Sequence, residues 1–361
     1  MSSVPTPNAI DTGLSANGHP QEQKTAPNPQ DVVFQAGLGY IVSACLGVAA
    51  KLHLPDLIGS GAEEVSSLAE RTNTHEDYLY RVLRVLEMTQ IISRNGARRF
   101  ALTPAGELLR SDAPGSLAAA VEWLTDSLHF SVYGELLHCV KTGTTAFDSI
   151  HGEQFFNWIC REKNADEAAV FNNAMSSVSE MCAPAFLEAY DFGAFKRIVD
   201  VAGGHGAFLR AVLREHPEVT GTVAEMPSVV PDAKKAIAAD GLIERCDAVE
   251  CDIFSWVPEG CDGYFMKHIV HDWPDEKALV LLRNIRAVIP QHGKLLLAEA
   301  VLDDSPAPHP GKLLDIEMMT FASGKERTEE EFRQLLAKGG FTLTQVIPTK
   351  SLLSLIEAVP G

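Results

Sequence analysis

The spacing of apolar residues changes several times along the chain. Residues 1–28 have no apolar period and are rich in Pro, Ser, Asn, Gln and Gly, which predicts a disordered leader. From Asp31 the spacing turns helical, and "YIVSACLGVAAKLHLPDLI" (40–58) reads as a buried helix ending at Pro55. A second helix starts around Ser66, Leu68 and Ala69. Thr74 is the expected cap of a third, whose apolar face is Leu79, Val82, Leu83, Val85 and Leu86. "IISRNGARRFALT" (91–103) is two short strands around an Asn-Gly turn. Helices followed by a hairpin predict a winged helix over residues 29–115. Residues 116–190 keep helical spacing, with Trp123, Phe171, Met175 and Met181 on the apolar faces as core or pocket lining.

After Phe192 the pattern becomes runs of buried strand alternating with amphipathic helices. The strands are "RIVDVA", "GTVAEM", "CDAVECDI", "GYFMKHIV" and "KLLLAEAVL". This alternation predicts an α/β, Rossmann-like, doubly wound parallel sheet over residues 191–361. Its ligands would sit at the carboxyl ends of the strands. The C-terminal segment adds a helix and two closing strands.

Composition narrows the function. A net charge of −18 disfavours nucleic acid, because phosphate binding draws on Lys and Arg. The only basic residues on the third helix and wing are Arg81, Arg84, Arg94, Arg98 and Arg99, so that face reads as packing against a subunit or domain. The apolar runs are broken by Gly, Ser and Cys and read as too short for a membrane span. No signal peptide is apparent. The seven cysteines form no CxxC pair and read as reduced thiols, so a cytoplasmic location is expected.

Two stretches carry candidate chemistry. In "IVDVAGGHGAFLRAVL" (198–213), Gly203, Gly204 and Gly206 allow close backbone approach to a ligand at a helix N-terminus. The third glycine of the dinucleotide fingerprint is absent, and no P-loop lysine follows. S-adenosylmethionine suits the loop better than a pyrophosphate. Glu225, at the next strand end, could accept from both ribose hydroxyls, and Asp252 from the adenine amino group. The second stretch is "HIVHDWPDE" (268–276). Its two histidines have no third ligand at metal spacing, so no metal is expected. His268 reads as packed beside the cofactor or simply buried.

At these residues the chain resembles the S-adenosylmethionine-dependent small-molecule O-methyltransferases of the caffeate, hydroxyindole and bacterial polyketide type. The resemblance rests on "DVAGGHG", "AEMP", "CDIF", "KHIVHDWPDE", "LLLAEAVL" and "GKERTEEEF". It implies that His271 is a general base, with Glu299 and Glu326 as its supporting acids. It places Asp200, Met226, Ile253, Phe254, Lys267 and Trp273 at the cofactor together with the glycines, Glu225 and Asp252. Phe171, Met175, Asp272, Met318 and Met319 fall at the substrate, an aromatic small molecule. The N-terminal part resembles the family's dimerisation domain, which implies a homodimer. The chain departs from the family pattern at Ala202, Glu225 and Cys251, where Gly, Asp and Gly are usual. Two other readings stay open: a relative that holds S-adenosylmethionine but hydroxylates, decarboxylates or runs a pericyclic reaction, and a winged-helix regulator.

Overall fold

The computed structural model describes residues 28–361, so the expected leader lies outside the described residues save for Asn28. The chain forms two compact units, one ending at Ser43 and the other spanning Ala44–Gly361.

The helix Pro29–Lys51 begins in the first unit. Phe34, Leu38 and Ile41 recur at helical spacing and are exposed, as are Val32, Val33 and Tyr40. This corrects two expectations. The helix is not buried, and by length and composition it could cross a membrane. It also stops at Lys51. His53 then takes a left-handed backbone (φ 48), and Pro55 stands in the first turn of a short helix, Leu54–Ile58, where a missing N–H costs nothing.

In the second unit, strands β1 (Ala62–Glu64), β2 (Ile92–Arg94) and β3 (Arg99–Leu102) form an antiparallel sheet in the order β1-β3-β2. β1 is too short to show alternation in the sequence. Helices Val65–Thr72 and Glu76–Met88 cover the sheet through Leu68, Leu79, Leu83 and Leu86. Thr74 does not cap the second of these: its hydroxyl lies 2.9 Å from that of Thr72, and His75 holds the cap position. The basic residues of the wing are locally engaged, Arg94 by Glu87 and Tyr80, and Arg98 by Glu76 and Asp77.

The large sheet contains β4 (Arg197–Val201), β5 (Thr220–Glu225), β6 (Cys246–Glu250), β7 (Gly263–Lys267) and β8 (Lys294–Glu299). A separate parallel pair joins β9 (Val301–Leu302) to β10 (Arg327–Thr328). β11 (Phe341–Pro348) and β12 (Ser354–Pro360) complete the large sheet in the order β11-β12-β8-β7-β4-β5-β6. The expected parallel sheet is therefore mixed: β12 runs antiparallel to both β8 and β11. Alternating side chains feed two cores. Ile198 faces Phe186, Phe208 and Leu209, while Val199 and Val201 face Leu281, Leu282 and Phe332. The strand order reverses between β4 and β7, and the carboxyl ends there open a crevice. Beyond it, helix Ala165–Ala189 and its shorter neighbours close around Trp123, Phe147, Phe155 and Phe321.

Candidate active site

A cavity of about 860 Å³ occupies that crevice. One end is built by the loops after β4, β5 and β6. Gly204 and Gly206 have positive φ (58° and 70°). A Cβ on Gly203 would lie 2.4 Å from the Asp200 carboxyl carbon, so this carboxyl packs directly against the loop. Gly206 caps helix Ala207–Glu215, and Val223 leaves its Cβ position no room. Ala202, where the family pattern has glycine, also adopts a left-handed backbone (φ 55).

Asp200 and Glu225 are both buried and make no ion pair among the described residues. Burial pushes Asp200 up to about 7, with Lys267 pulling the other way. Burial likewise raises Glu225 to about 7, against the backbone N–H groups of Met226 and Gly204. Buried acids in this state call for hydroxyl or ammonium donors. A tight glycine loop, an acid under it and a second acid one strand away therefore suit an aminoacyl nucleoside such as S-adenosylmethionine. Asp252 lines the same end, but its oxygens also accept from Phe254 N (3.1 Å) and Ser255 Oγ (2.6 Å), which fixes the turn. Met226, Ile253, Phe254, Lys267 and Trp273 join it on the wall. Burial lowers the Lys267 pKa while Cys182, Asp200, Glu299 and Asp272 act to raise it.

At the other end the wall is apolar. Phe171 and Met175 line it as expected, and Phe156 lies 5.3 Å from Trp273 between ring centroids. Met318 and Met319 are not among the lining residues: Met318 is buried, and Met319 packs against the aromatic cluster that includes Phe155 and Phe321. The same region holds a buried cluster that the sequence did not reveal. His129 bridges Asp126 and Glu317 at 2.9 Å each, and Tyr133 donates to Glu317. Burial pushes His129 down, but the two acids outweigh it and bring the ring up to about 9.

Between the two ends stands the histidine loop. β7 ends at Lys267, and Val270–Asp272 forms a single 3-10 turn in place of the expected loop. His271 is 4% exposed. Its Nδ1 lies 2.6 Å from Glu326 Oε1 and 3.8 Å from Glu299 Oε2. Its Nε2 edge turns towards Asp272, whose Oδ1 is 3.6 Å away. Asp272 and His268 line the cavity, whereas His271 stands behind them. Glu299 also accepts from the backbone N–H groups of Ile269 and Val270, so it holds the turn itself. Burial raises both acids, Glu326 to about 8. The three side chains are close enough to hold a metal ion. One Glu299 oxygen is already committed to two backbone donors, and Nδ1 is directed at Glu326, so the arrangement reads as a proton-holding triad.

The segment carrying Glu326 is locked to that turn. Lys325 N donates to His271 O (2.9 Å). Arg327, 1% exposed, donates to the carbonyls of Val270 and Trp273 and to Asp275. A Cβ on Gly324 would lie 1.8 Å from His271 O, so only glycine fits. Neither Arg327 nor Gly324 was singled out by the sequence. Nor were Phe156, Trp256 and Ser176, which belong to no recognisable motif, or His205, which lies inside the glycine loop; all four line the cavity.

Comparison with known proteins identifies the family. The O-methyltransferase domain model matches residues 133–342, and the O-methyltransferase dimerisation domain model matches residues 34–112, including most of the exposed N-terminal helix. The phenazine O-methyltransferase PhzM of Lysobacter antibioticus is 36% identical over 91% of this chain and 96% of its own. The O-demethylpuromycin-O-methyltransferase of Streptomyces alboniger is 35% identical over 99% and 96%. An 8-amino-8-demethylriboflavin N,N-dimethyltransferase of Streptomyces davaonensis is 32% identical over 90% and 94%. Among solved structures, LaPhzM superposes with a TM-score of 0.88 at 36% identity, covering 93% of this chain and 100% of that one. NcsB1, solved with S-adenosylmethionine and 2-hydroxy-5-methyl naphthoic acid, has a TM-score of 0.74 at 29% identity, covering 88% and 96%. Matched along nearly its whole described length and by models of both domains, the chain belongs to the S-adenosylmethionine-dependent O-methyltransferase family.

Proposed function

We propose that the protein methylates a hydroxyl group of a planar aromatic small molecule, with His271 as general base. The observation that carries this reading is the 2.6 Å contact between His271 Nδ1 and Glu326, which leaves Nε2, 3.6 Å from the cavity-lining Asp272, as the basic edge. When bound, S-adenosylmethionine supplies an electrophilic methyl group on a sulfonium. The residues do the rest. Asp200, Glu225 and the glycine loop hold the donor end. Phe156, Phe171, Met175 and Trp273 grip a flat acceptor by its faces and edges. Holding the reactants in line can supply roughly 7–11 kcal/mol of the barrier. A neutral phenol, with a pKa of about 10, is a weak nucleophile. His271 Nε2 takes its proton, and Glu326 stabilises the imidazolium through Nδ1. Such base catalysis is worth about 10²- to 10⁴-fold.

The relatives that methylate phenazine, puromycin-type and naphthoate-like compounds, by their names, support an aromatic acceptor. The riboflavin-analogue relative supports a second reading, transfer to an aromatic amine at the same site. We further propose a homodimer in which the Phe34, Leu38 and Ile41 face meets a second copy.

The test is incubation with methyl-labelled S-adenosylmethionine and a panel of hydroxylated and aminated polycyclic aromatics, with the product bond assigned by NMR. Methyl ethers formed by the wild type and lost in His271→Ala, with donor binding retained, support the proposal. A His271→Ala variant that keeps most of its rate overturns the base assignment, and methylamine products favour the second reading.

A further inference from the structure

His268 has no part in the chemistry described above, yet it is held in place from several sides. It follows β7 directly with a left-handed backbone (φ 56), and its N–H donates to Ala298 O at 3.2 Å. Non-glycine residues adopt this conformation at a cost and tend to do so where function requires it. Its ring lies parallel to that of His271, 4.8 Å between centroids and 7° between planes. It lines the cavity, and its Nε2 is buried with no hydrogen-bond partner among the described residues. An unpaired buried polar atom is costly unless a ligand meets it. The surrounding wall, with Phe265, Ile269 and Met175, is largely apolar. Burial, with Lys267 and His271 alongside, keeps the ring neutral, so it carries one N–H and one lone pair.

We infer that His268 determines acceptor specificity by hydrogen-bonding a second polar group of the acceptor, adjacent to the hydroxyl that His271 serves. The two rings are stacked face to face, His268 on the cavity wall and His271 directly behind it, and each nitrogen reaches roughly 3 Å to a partner. Two groups met by such a pair must themselves be neighbours. The preferred substrate class is therefore an aromatic with polar groups at adjacent ortho or peri positions, not one with an isolated hydroxyl. This inference rests on the function proposed above.

The isomers 2,3- and 2,7-dihydroxynaphthalene, alike in formula and differing in whether the hydroxyls are neighbours, provide the probe. Their binding to the full-length protein saturated with S-adenosylhomocysteine is measured by calorimetry, alongside labelled-methyl product analysis. The wild type is expected to prefer the 2,3 isomer by about tenfold, the worth of one satisfied polar contact. His268→Gly, which accepts the positive φ, is expected to erase that preference by weakening the 2,3 isomer alone. His268→Asn, which also accepts it, is expected to restore part of the preference. The inference is overturned by equal wild-type affinity for the isomers, by binding of neither, by equal weakening of both in His268→Gly, or by a changed S-adenosylhomocysteine affinity. A persistent binding preference with no methyl ether formed would instead count against the proposed function and leave the role of His268 standing.

Discussion

Glu326 Oε1 and His271 Nδ1 meet at 2.6 Å across 55 residues of sequence, while Glu299 reaches the same nitrogen only at 3.8 Å. The two acids thus act differently. Glu326→Gln keeps a polar group at Nδ1 but removes the carboxyl group that takes up charge as the imidazolium forms. It is expected to lower kcat by about 10- to 100-fold with KM little changed. Glu299→Gln is expected to lower the melting temperature as well, because Glu299 also holds two backbone N–H groups of the turn. Steady-state kinetics and thermal melts on the two variants check the division. Equal effects on both readouts would refute it.

Arg327→Met leaves the carbonyls of Val270 and Trp273 without their buried donor. Breaking such a buried set costs about 3–5 kcal/mol. The variant is expected to unfold at markedly lower denaturant concentration and to lose kcat by more than KM, because the turn that carries His271 is released. An unchanged urea midpoint would contradict this account.

Ala202 sits at φ 55. A left-handed backbone costs a residue with a Cβ roughly 1–2 kcal/mol, and glycine's extra freedom in the unfolded chain gives back roughly 0.4–1. Ala202→Gly is therefore expected to be neutral or to stabilise the protein by up to about 1 kcal/mol, measurable by urea unfolding. A loss beyond about 1 kcal/mol would mean that the methyl group packs productively.

Stability of the cofactor-free protein is expected to fall between pH 6.5 and 9. Asp200, Glu225 and Asp272 are raised by burial to about 7, and Glu326 to about 8. In this window the folded chain holds protons that free carboxyls, with pKa values of about 4, have already released, so stability drops as pH rises through the folded values. His129, brought up to about 9, contributes stability that is complete below its ordinary pKa and lost towards pH 9. Lys267, lowered by burial, works in the opposite sense and reduces the slope. His268, lowered well below its ordinary value, imposes its penalty below the window. Melting curves should show a decrease on the order of 5 °C, the size of a loss of one to two kcal/mol. A rise across the window would overturn the assignment.

The exposed face of Phe34, Leu38 and Ile41 is expected to hold the dimer. Phe34→Asp combined with Ile41→Asp should convert a dimer to a monomer in sedimentation velocity. A monomeric wild type, or a dimer that survives both changes, would place the interface elsewhere.

What could be read from the sequence was whatever repeats locally. The strands β4 to β8 announced themselves as apolar runs, and the glycine loop as backbone-permissive residues at fixed spacing. The helix Glu76–Met88 was visible from its apolar face. What could not be read was long-range. The antiparallel placing of β12 depends on a partner strand with no mark in its own residues. Arg327 looked like any surface arginine until the fold wrapped the carbonyls of Val270 and Trp273 around it. Met318 and Met319 have the composition of pocket residues, but Met318 is buried away from the cavity and Met319 packs against the aromatic cluster. The helix Pro29–Lys51 looked buried because apolar residues usually are; hydrophobicity does not say which chain provides the cover.

β12, the last strand, sits in the middle of its end of the sheet, between β11 and β8. While the chain is being synthesised, β8 must wait with one edge unpaired until β12 arrives. A long, flat, apolar edge of this kind invites pairing with other chains. The interval before β12 pairs is thus one of aggregation risk, and deletion of β12 should yield inclusion bodies rather than shortened enzyme.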